Sequence, residues 1–314
     1  MNSSLDGKQY SVIAIVGPTA SGKSKIADGL AEKLSGAVIS ADSMQIYRHM
    51  DIGTAKMNSD SCRAPLYMVD VCEPDTPYSA ALYQRAAREV IDSCLERNQP
   101  PIVCGGTGLY VRAALDVMDF PTGEAEDPLR SKLQSYATTY GAEALYEELK
   151  KIDPESASVI HPHNVRRVIR AIEMAYAGES YAEQKAHFSH AESFYPTSYF
   201  GLTMDRDRLY QRINQRVDDM FERGLVNEVT QLVDSGYKNA LTSMQAIGYK
   251  EVIDALDSKI SIDESRDLIK LRTRRYAKRQ LSWFKRDKRI TWIDMDIHSE
   301  DSALNLIEES LQRY

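Results

Sequence analysis

Apolar and polar positions follow two different periods in the first hundred residues. Short β-branched runs predict strands that are buried on both faces, at residues 11–16, 37–41, 66–71 and 102–104. Between them, residues 25–34 and 79–98 repeat apolar side chains at helical spacing. Strands that alternate with helices form parallel sheets with right-handed crossovers, so we expect an α/β core.

The pattern changes near residues 120–123. From residue 127 to about residue 177 every periodic segment is helical, and residues 180–196 predict a loop or a short helix. Further on, strands are predicted at 199–204 and 290–293, and helices at 206–234 and 262–284. We therefore expect a core of residues 1–120 and 197–314, interrupted by a helical insertion at 121–196.

Composition places the chain among ordinary globular proteins. It has 314 residues, a net charge of −7, 43% hydrophobic and 27% charged residues. The longest apolar stretch is far shorter than the roughly 20 residues of a membrane helix, and the first ten residues resemble no secretion signal. We expect a cytoplasmic protein with no membrane contact. The four cysteines form no Cys-x-x-Cys pair, which favours reduced thiols over a zinc site.

A glycine-containing loop follows the first predicted strand and matches the pattern G-x-x-x-x-G-K-[ST]. Its residues are Gly17, Pro18, Thr19, Ala20, Ser21, Gly22, Lys23 and Ser24. A loop of this kind surrounds phosphate oxygens with main-chain N–H groups at a helix N-terminus. Lys23 adds a positive charge, and Ser24 offers a hydroxyl to Mg²⁺. The motif predicts binding of a diphosphate or triphosphate and leaves the reaction open.

Asp42 closes the second predicted strand. Ligands of open α/β sheets gather at the carboxyl ends of the strands, so we expect Asp42 near whatever the loop holds.

A basic segment stands out from the acidic average. Residues 266–289 contain eleven Lys and Arg against two acids. On a helix, four arginines fall within about 60° of one another, namely Arg272, Arg275, Arg279 and Arg286. The opposite seam contains Ile269, Thr273, Ala277, Gln280 and Phe284. One helix can therefore pack on the core while it presents arginines to a polyanion, and we expect Trp283 to be a core residue.

Several motifs together resemble the tRNA dimethylallyltransferases, in the bacterial form without a zinc finger. They are the segments 42–48, 50–56, 105–110, 161–167, 245–251 and 273–284, in family order. The resemblance spans about residues 12–293. It implies a P-loop NTPase-like core with a helical insertion that grips tRNA.

The resemblance also implies a reaction. The exocyclic amine of the adenosine immediately 3′ of the anticodon would attack dimethylallyl diphosphate, and diphosphate would leave. The loop with Mg²⁺ would hold the diphosphate, Asp42 would act as general base, and Thr107 would bond near the reacting centre. The partners would be a tRNA anticodon stem-loop and dimethylallyl diphosphate. We expect a monomer.

By motif match, RNA contacts are expected at several separate stretches. They are Asp42, Ser43, Met44, Gln45, Thr107, Arg130, Arg166, Arg167, Val168, Ile169, Arg170, Gln245, Ala246, Ile247, Gly248, Tyr249, Lys250, Lys278, Arg279, Gln280, Leu281, Ser282, Trp283, Phe284 and Lys285.

Three other functions are compatible with part of the pattern. An adenylate dimethylallyltransferase would share the loop and Asp42, but it would have less use for an arginine face and a helical insertion. A small-molecule kinase is favoured by the loop alone. An RNA-binding module that has lost catalysis is disfavoured by the intact Lys23, Ser24 and Asp42.

Overall fold

The computed structural model describes residues 11–58, 61–120, 128–189 and 191–312. The strands are β1 (Val12–Val16), β2 (Ala37–Ser40), β3 (Leu66–Tyr67), β4 (Pro101–Gly105), β5 (Thr197–Thr203) and β6 (Ile290–Asp294). The helices are α1 (Lys23–Leu34), α2 (Ala80–Glu96), α3 (Gly108–Leu115), α4 (Pro128–Tyr140), α5 (Ala142–Ile152), α6 (Pro154–Ser158), α7 (Val165–Tyr176), α8 (Tyr181–Ser189), α9 (Arg206–Glu222), α10 (Leu225–Asp234), α11 (Tyr249–Leu256), α12 (Ile262–Phe284) and α13 (Glu300–Leu311). Two short 3-10 turns, Tyr237–Asn239 and Ser243–Gln245, lie between α10 and α11.

The strands form a single parallel sheet in the part of the chain that the structure describes. Their order is β3-β2-β4-β1-β5-β6. The predicted α/β class with a parallel sheet is confirmed. In register, Val16 pairs with Gly105 and Gly201, and Ser40 pairs with Cys104. The segments that follow β1, β2 and β4 therefore meet at one edge of the sheet.

The chain divides into two compact units. One contains Met1–Leu115 and Ser193–Tyr314, and the other is Asp116–Glu192. The sequence predicted the junctions a few residues later, at 120/121 and 196/197. Residues 121–127, which follow the first predicted junction, lie outside the described residues.

The helical unit has a core of its own. Helices α5 and α7 meet there through Leu145, Leu149, Val168 and Ile172. The Asn164 side chain caps α7 by accepting a hydrogen bond from the Arg167 N–H group.

Three departures from the predicted elements have local causes. The third strand is only two residues long, because Met68 (φ 61°) and Asp70 (φ 52°) adopt left-handed conformations that a strand cannot contain. The predicted helix 206–234 is interrupted at Gly224 and forms two helices. Gly224 has a φ of 97°, a conformation that glycine adopts without strain. Helices α3, α11 and α13 were not predicted from periodicity.

No helix among the described residues is long and apolar enough to cross a membrane. The four cysteines are free thiols, with Cys94 and Cys104 buried and Cys62 and Cys72 half-buried.

Candidate active site

The phosphate loop connects β1 to α1 at the carboxyl edge of the sheet. Gly22 precedes α1 with a φ of 100°, and the helix begins at Lys23. The first turn of α1 contains no acidic residue, so its N–H groups keep their partial positive charge for an anion. The loop therefore has the geometry that its sequence pattern predicted.

Lys23 contributes a formal positive charge to the phosphate loop. Its Nζ atom donates a hydrogen bond of 2.5 Å to the Pro18 carbonyl oxygen. Burial lowers the pKa of Lys23 to about 8, because the ammonium loses its hydration. A cation in this setting gains more from a bound anion than an exposed lysine does.

Asp42 follows β2, and its Oδ1 atom accepts a hydrogen bond of 2.9 Å from the Met44 N–H group. Burial raises the pKa of the Asp42 carboxyl, while this hydrogen bond and the Lys23 charge act in the opposite direction. The neighbouring Thr107 hydroxyl accepts a hydrogen bond of 3.1 Å from the Ser43 N–H group. Asp42 is thus held beside the loop with a carboxyl that takes up a proton more readily than an exposed one.

Helix α9 contributes two arginines that were not singled out from the sequence. A guanidinium nitrogen of Arg216 lies 3.2 Å from the Thr19 hydroxyl, and Arg212 Nε donates to the Ala20 carbonyl at 2.9 Å. Burial lowers the pKa of Arg216, with the charge of Asp42 acting against that shift. Their sequence spacing matches a solvent-facing helix row, so only the folded chain shows that they face the phosphate loop.

A cavity of about 660 Å³ brings these groups together. Its charged and polar wall includes Lys23, Ser24, Asp42, Arg216 and Gln280. Its apolar wall includes Ile213, Val217, Ile247 and Ile269. An anion-binding end, a carboxylate and an apolar surface therefore share one space.

Most of the predicted RNA-contacting residues fall into three groups. Those that line the cavity are Asp42, Ser43, Met44, Gln45, Gln245, Ala246, Ile247, Arg279 and Gln280. Arg166, Arg167, Lys250, Lys278, Ser282 and Lys285 have exposed side chains outside its lining. Val168, Ile169, Tyr249 and Phe284 are buried, so their side chains face the interior of the protein.

Some predicted contacts have partners within the chain. Arg130 forms two hydrogen bonds of 2.7 Å with the carboxylate of Glu173, in the helical unit. Arg272 donates to the buried carboxylate of Glu251 at 2.5 Å. The sequence pattern placed Arg272 on the face expected to meet a polyanion, whereas in the fold its charge is paired with an internal carboxylate.

Trp283 also departs from its expected role. Its side chain is 40% exposed, because Ala277, Gln280 and Phe284 occupy the core face of α12. Together with Lys278, Arg279, Ser282 and Arg286, it lines a shallow surface cavity of about 300 Å³. A basic surface with an exposed indole suits a nucleic acid better than a core position would.

Comparison with known proteins identifies the relatives of this fold and site. The IPP transferase model matches residues 45–287, and an isopentenyl transferase model matches residues 10–64. The chain belongs to the IPP transferase family. It is therefore a prenyltransferase.

Individual relatives agree over nearly the whole length. A tRNA dimethylallyltransferase of Alkaliphilus metalliredigens is 43% identical over 305 residues, which cover 96% of this chain and 97% of the relative. A crystal structure of the tRNA isopentenylpyrophosphate transferase from Bacillus halodurans is 42% identical, with a TM-score of 0.70 and 98% coverage of both chains. A crystal structure of a eukaryotic dimethylallyltransferase acting on tRNA is 28% identical, with a TM-score of 0.77. The match covers 97% of this chain and 80% of the eukaryotic chain.

The prenyltransferase site is compatible with a metal that arrives with its substrate. Among the described residues, no group of three or more His, Cys, Asp or Glu side chains is arranged to hold a metal. Magnesium usually takes most of its ligands from phosphate oxygens and water, with one or two from the protein. Ser24 lines the cavity at the start of α1, and its hydroxyl offers an oxygen of the kind that magnesium takes from a protein.

Proposed function

We propose that the chain transfers a dimethylallyl group from dimethylallyl diphosphate to N6 of the adenosine 3′-adjacent to the anticodon in tRNA, with release of diphosphate. The observation that carries this proposal is the shared cavity of Lys23 and Asp42. It pairs a site for a diphosphate leaving group with a carboxylate that can accept a proton. The family of the chain supports the same reaction.

The phosphate loop holds the diphosphate in this proposal. Lys23 and Arg216 line the cavity beside the loop, and both lose hydration there. They are therefore placed to stabilise the charge that develops as the C1–O bond breaks. Mg²⁺, held by Ser24, would add charge neutralisation to the same oxygens.

Asp42 is the general base. The N6 amine forms a bond to C1, the C1–O bond breaks toward the diphosphate, and the amine proton passes to the Asp42 carboxylate. The amine of adenine is a weak nucleophile, so removal of its proton assists the attack. The apolar wall of Ile213, Val217 and Ile269 excludes water from the reacting prenyl group.

The acceptor base must leave its stack to enter this cavity. We propose that exposed basic side chains on α12 hold the RNA, chiefly Arg275, Lys278 and Arg279. Arg166 and Arg167 on α7 would let the helical unit contact the same RNA. We further propose that the protein is cytoplasmic and that it is a monomer. Light scattering at assay concentration would test the monomeric state.

The decisive experiment offers the protein dimethylallyl diphosphate and Mg²⁺ with either an unmodified tRNA anticodon stem-loop or AMP. Mass spectrometry then identifies the acceptor that gains a prenyl group. We expect the stem-loop to be modified at the adenosine next to the anticodon. Prenylation of AMP alone would contradict the proposal, and so would phosphoryl transfer from ATP to a small acceptor.

A further inference from the structure

A buried carboxylate outside the cavity gathers four hydrogen-bond donors. Glu228, on α10, accepts at Oε2 from the N–H groups of Asp51 (3.0 Å) and Ile52 (2.7 Å). Its Oε1 atom accepts from the Gly53 N–H group (3.1 Å) and the Tyr249 hydroxyl (2.7 Å). Three consecutive main-chain N–H groups that converge on one anion form a nest, and their bonds to a charged acceptor are strong.

The segment held by Glu228 continues into the cavity wall. Gly53, Thr54 and Ala55 line the cavity, whereas Glu228 does not. The Thr54 carbonyl accepts a hydrogen bond of 3.3 Å from Gln45 Nε2. Gln45 also lines the cavity, beside Met44, so the turn that Glu228 holds sets one of the two contacts that orient the Gln45 amide.

The second contact of the Gln45 amide comes from the sheet. Its Oε1 atom accepts a hydrogen bond of 3.0 Å from the Ser40 hydroxyl at the end of β2. Gln45 is therefore held at both ends, once by the sheet and once by the turn. Only the second support depends on Glu228.

Tyr249 connects the same carboxylate to another part of the wall. Its ring lies so close to Gly53 that a Cβ atom there would be 2.5 Å from a ring carbon. Tyr249 follows residues Gln245, Ala246 and Ile247, which also line the cavity. One carboxylate thus joins two wall segments that are about two hundred residues apart in the chain.

The diphosphate end of the cavity has different supports. Gln280 and Arg216 bond to the phosphate loop at Thr19, and Arg212 bonds to it at Ala20. None of these contacts involves Glu228 or its four donors. The phosphate loop and the wall segments bonded to Glu228 are therefore held by separate sets of hydrogen bonds.

We propose that Glu228 is a positioning residue for the acceptor base. Through the Asp51–Gly53 nest and Tyr249, it holds the wall segments and the Gln45 amide that receive the adenine, without touching either substrate. The inference rests on the proposed tRNA prenylation and assigns the acceptor side of that site to a residue outside the cavity.

The test compares Glu228→Gln with Glu222→Gln in steady-state kinetics. Glutamine keeps the size of Glu228 but replaces one carboxylate oxygen with an NH₂ group. Some of the N–H and O–H donors that bond to Glu228 would therefore lose their acceptor. We expect kcat/KM for the anticodon stem-loop to fall about 10-fold to 100-fold, and KM for dimethylallyl diphosphate to stay within about twofold of wild type. Glu222 is exposed at the end of α9 and makes the same charge change, so that variant should behave as wild type.

Two further variants keep the test decisive if Glu228→Gln does not fold. Tyr249→Phe removes one of the four donors and should give a smaller loss of the same kind. Glu228→Asp keeps the charge with a shorter reach, and it should recover part of the activity with the stem-loop relative to Glu228→Gln.

The outcomes separate the two proposals. A wild-type enzyme that modifies no stem-loop would contradict the proposed function and this inference with it. If wild type is active, two results would overturn the inference alone. One is a lowered melting temperature with unchanged kinetics for both substrates, and the other is an equal rise of KM for both substrates.

Discussion

The side-chain carbonyl of Gln280 accepts a hydrogen bond of 2.8 Å from the main-chain N–H group of Thr19. The same amide donates a hydrogen bond of 2.9 Å to the Gly106 carbonyl oxygen, and Gln280 is only 5% exposed. Helix α12 thereby joins the phosphate loop to the end of β4. The C-terminal basic helix is part of the anion site as well as a candidate surface for RNA.

This link predicts the effect of replacing Gln280. A glutamate can still accept a hydrogen bond from the Thr19 N–H group but cannot donate one to Gly106. A carboxylate oxygen of the glutamate would then face the Gly106 carbonyl oxygen without a proton between them. We expect Gln280→Glu to weaken inorganic pyrophosphate binding about 10-fold, as measured by calorimetry. Gln312→Glu, at an exposed position after α13, is the matched control and should bind as wild type. Unchanged affinity in Gln280→Glu would show that the link does not shape the loop.

Asp42 should impose an acidic limb on the rate of prenyl transfer. Because burial raises the pKa of its carboxyl, Asp42 stays protonated at pH values where an exposed aspartate is already ionised. A base must be ionised, so kcat should rise with pH and level off above the raised pKa. Asp42→Asn keeps the size and the Met44 contact, and it should lose roughly 10²–10⁴ in kcat together with that limb.

Two controls make the Asp42 result specific. Stem-loop binding by Asp42→Asn should stay close to wild type in a filter assay, since the substitution leaves the basic surface intact. Asp301→Asn, at an exposed position in α13, makes the same chemical change and should keep the wild-type pH profile. An Asp42→Asn enzyme with normal turnover would remove Asp42 from the role of base.

Lys23 should make diphosphate binding depend on pH in the alkaline range. Its pKa of about 8 in the free protein means that the cation is lost between pH 7 and pH 9. A bound anion favours the protonated form, so pyrophosphate affinity should fall over this range and binding near pH 8 should take up protons. Calorimetry in two buffers of different ionisation enthalpy measures that uptake.

The matched variants are Lys23→Met and Lys132→Met. Lys132 is exposed in α4 and does not line the cavity, so its removal should leave the proton uptake unchanged. Lys23→Met should lose the part of the uptake that belongs to the protein and keep only that of pyrophosphate itself. Identical uptake in wild type and Lys23→Met would contradict the assignment.

The hydrophobic periodicity predicted an element correctly where its apolar residues form one continuous buried face. Helix α12 spans residues 262–284 as predicted, because its apolar seam and the Ser261 cap are local signals. The shortening of β3 and the break at Gly224 depend on left-handed residues that tertiary contacts select. A hydrophobic pattern contains no information about such single dihedral angles.

The candidate site divides in the same way. The phosphate loop and Asp42 were recognisable, because a contiguous motif and a strand end fix their places. Arg216 and Glu228 bond to residues that lie about two hundred positions away in the sequence. The sequences of their helices indicate only which side chains pack and which are exposed to solvent. Their roles required the three-dimensional arrangement of α9 and α10 against the loops.

The arginines of α12 should differ in their effect on RNA binding, although they lie on one predicted face. Arg275 and Arg279 are exposed, whereas Arg272 is paired with the buried Glu251. Each phosphate contact contributes roughly 0.7–0.9 to the slope of log affinity against log salt concentration. We expect Arg275→Gln and Arg279→Gln to lower the magnitude of that slope by about this amount each.

Arg272→Gln should instead leave the salt slope unchanged and destabilise the fold by about 1–3 kcal/mol in urea unfolding, because Glu251 loses its charged partner. The double variant Arg272→Gln/Glu251→Gln removes the uncompensated charge and should regain part of that stability. It also keeps the salt slope measurable on a folded protein. A reduced slope in this double variant would show that Arg272 contacts RNA after all, and an unaltered slope in Arg275→Gln and Arg279→Gln would exclude this surface of α12 from the RNA interface.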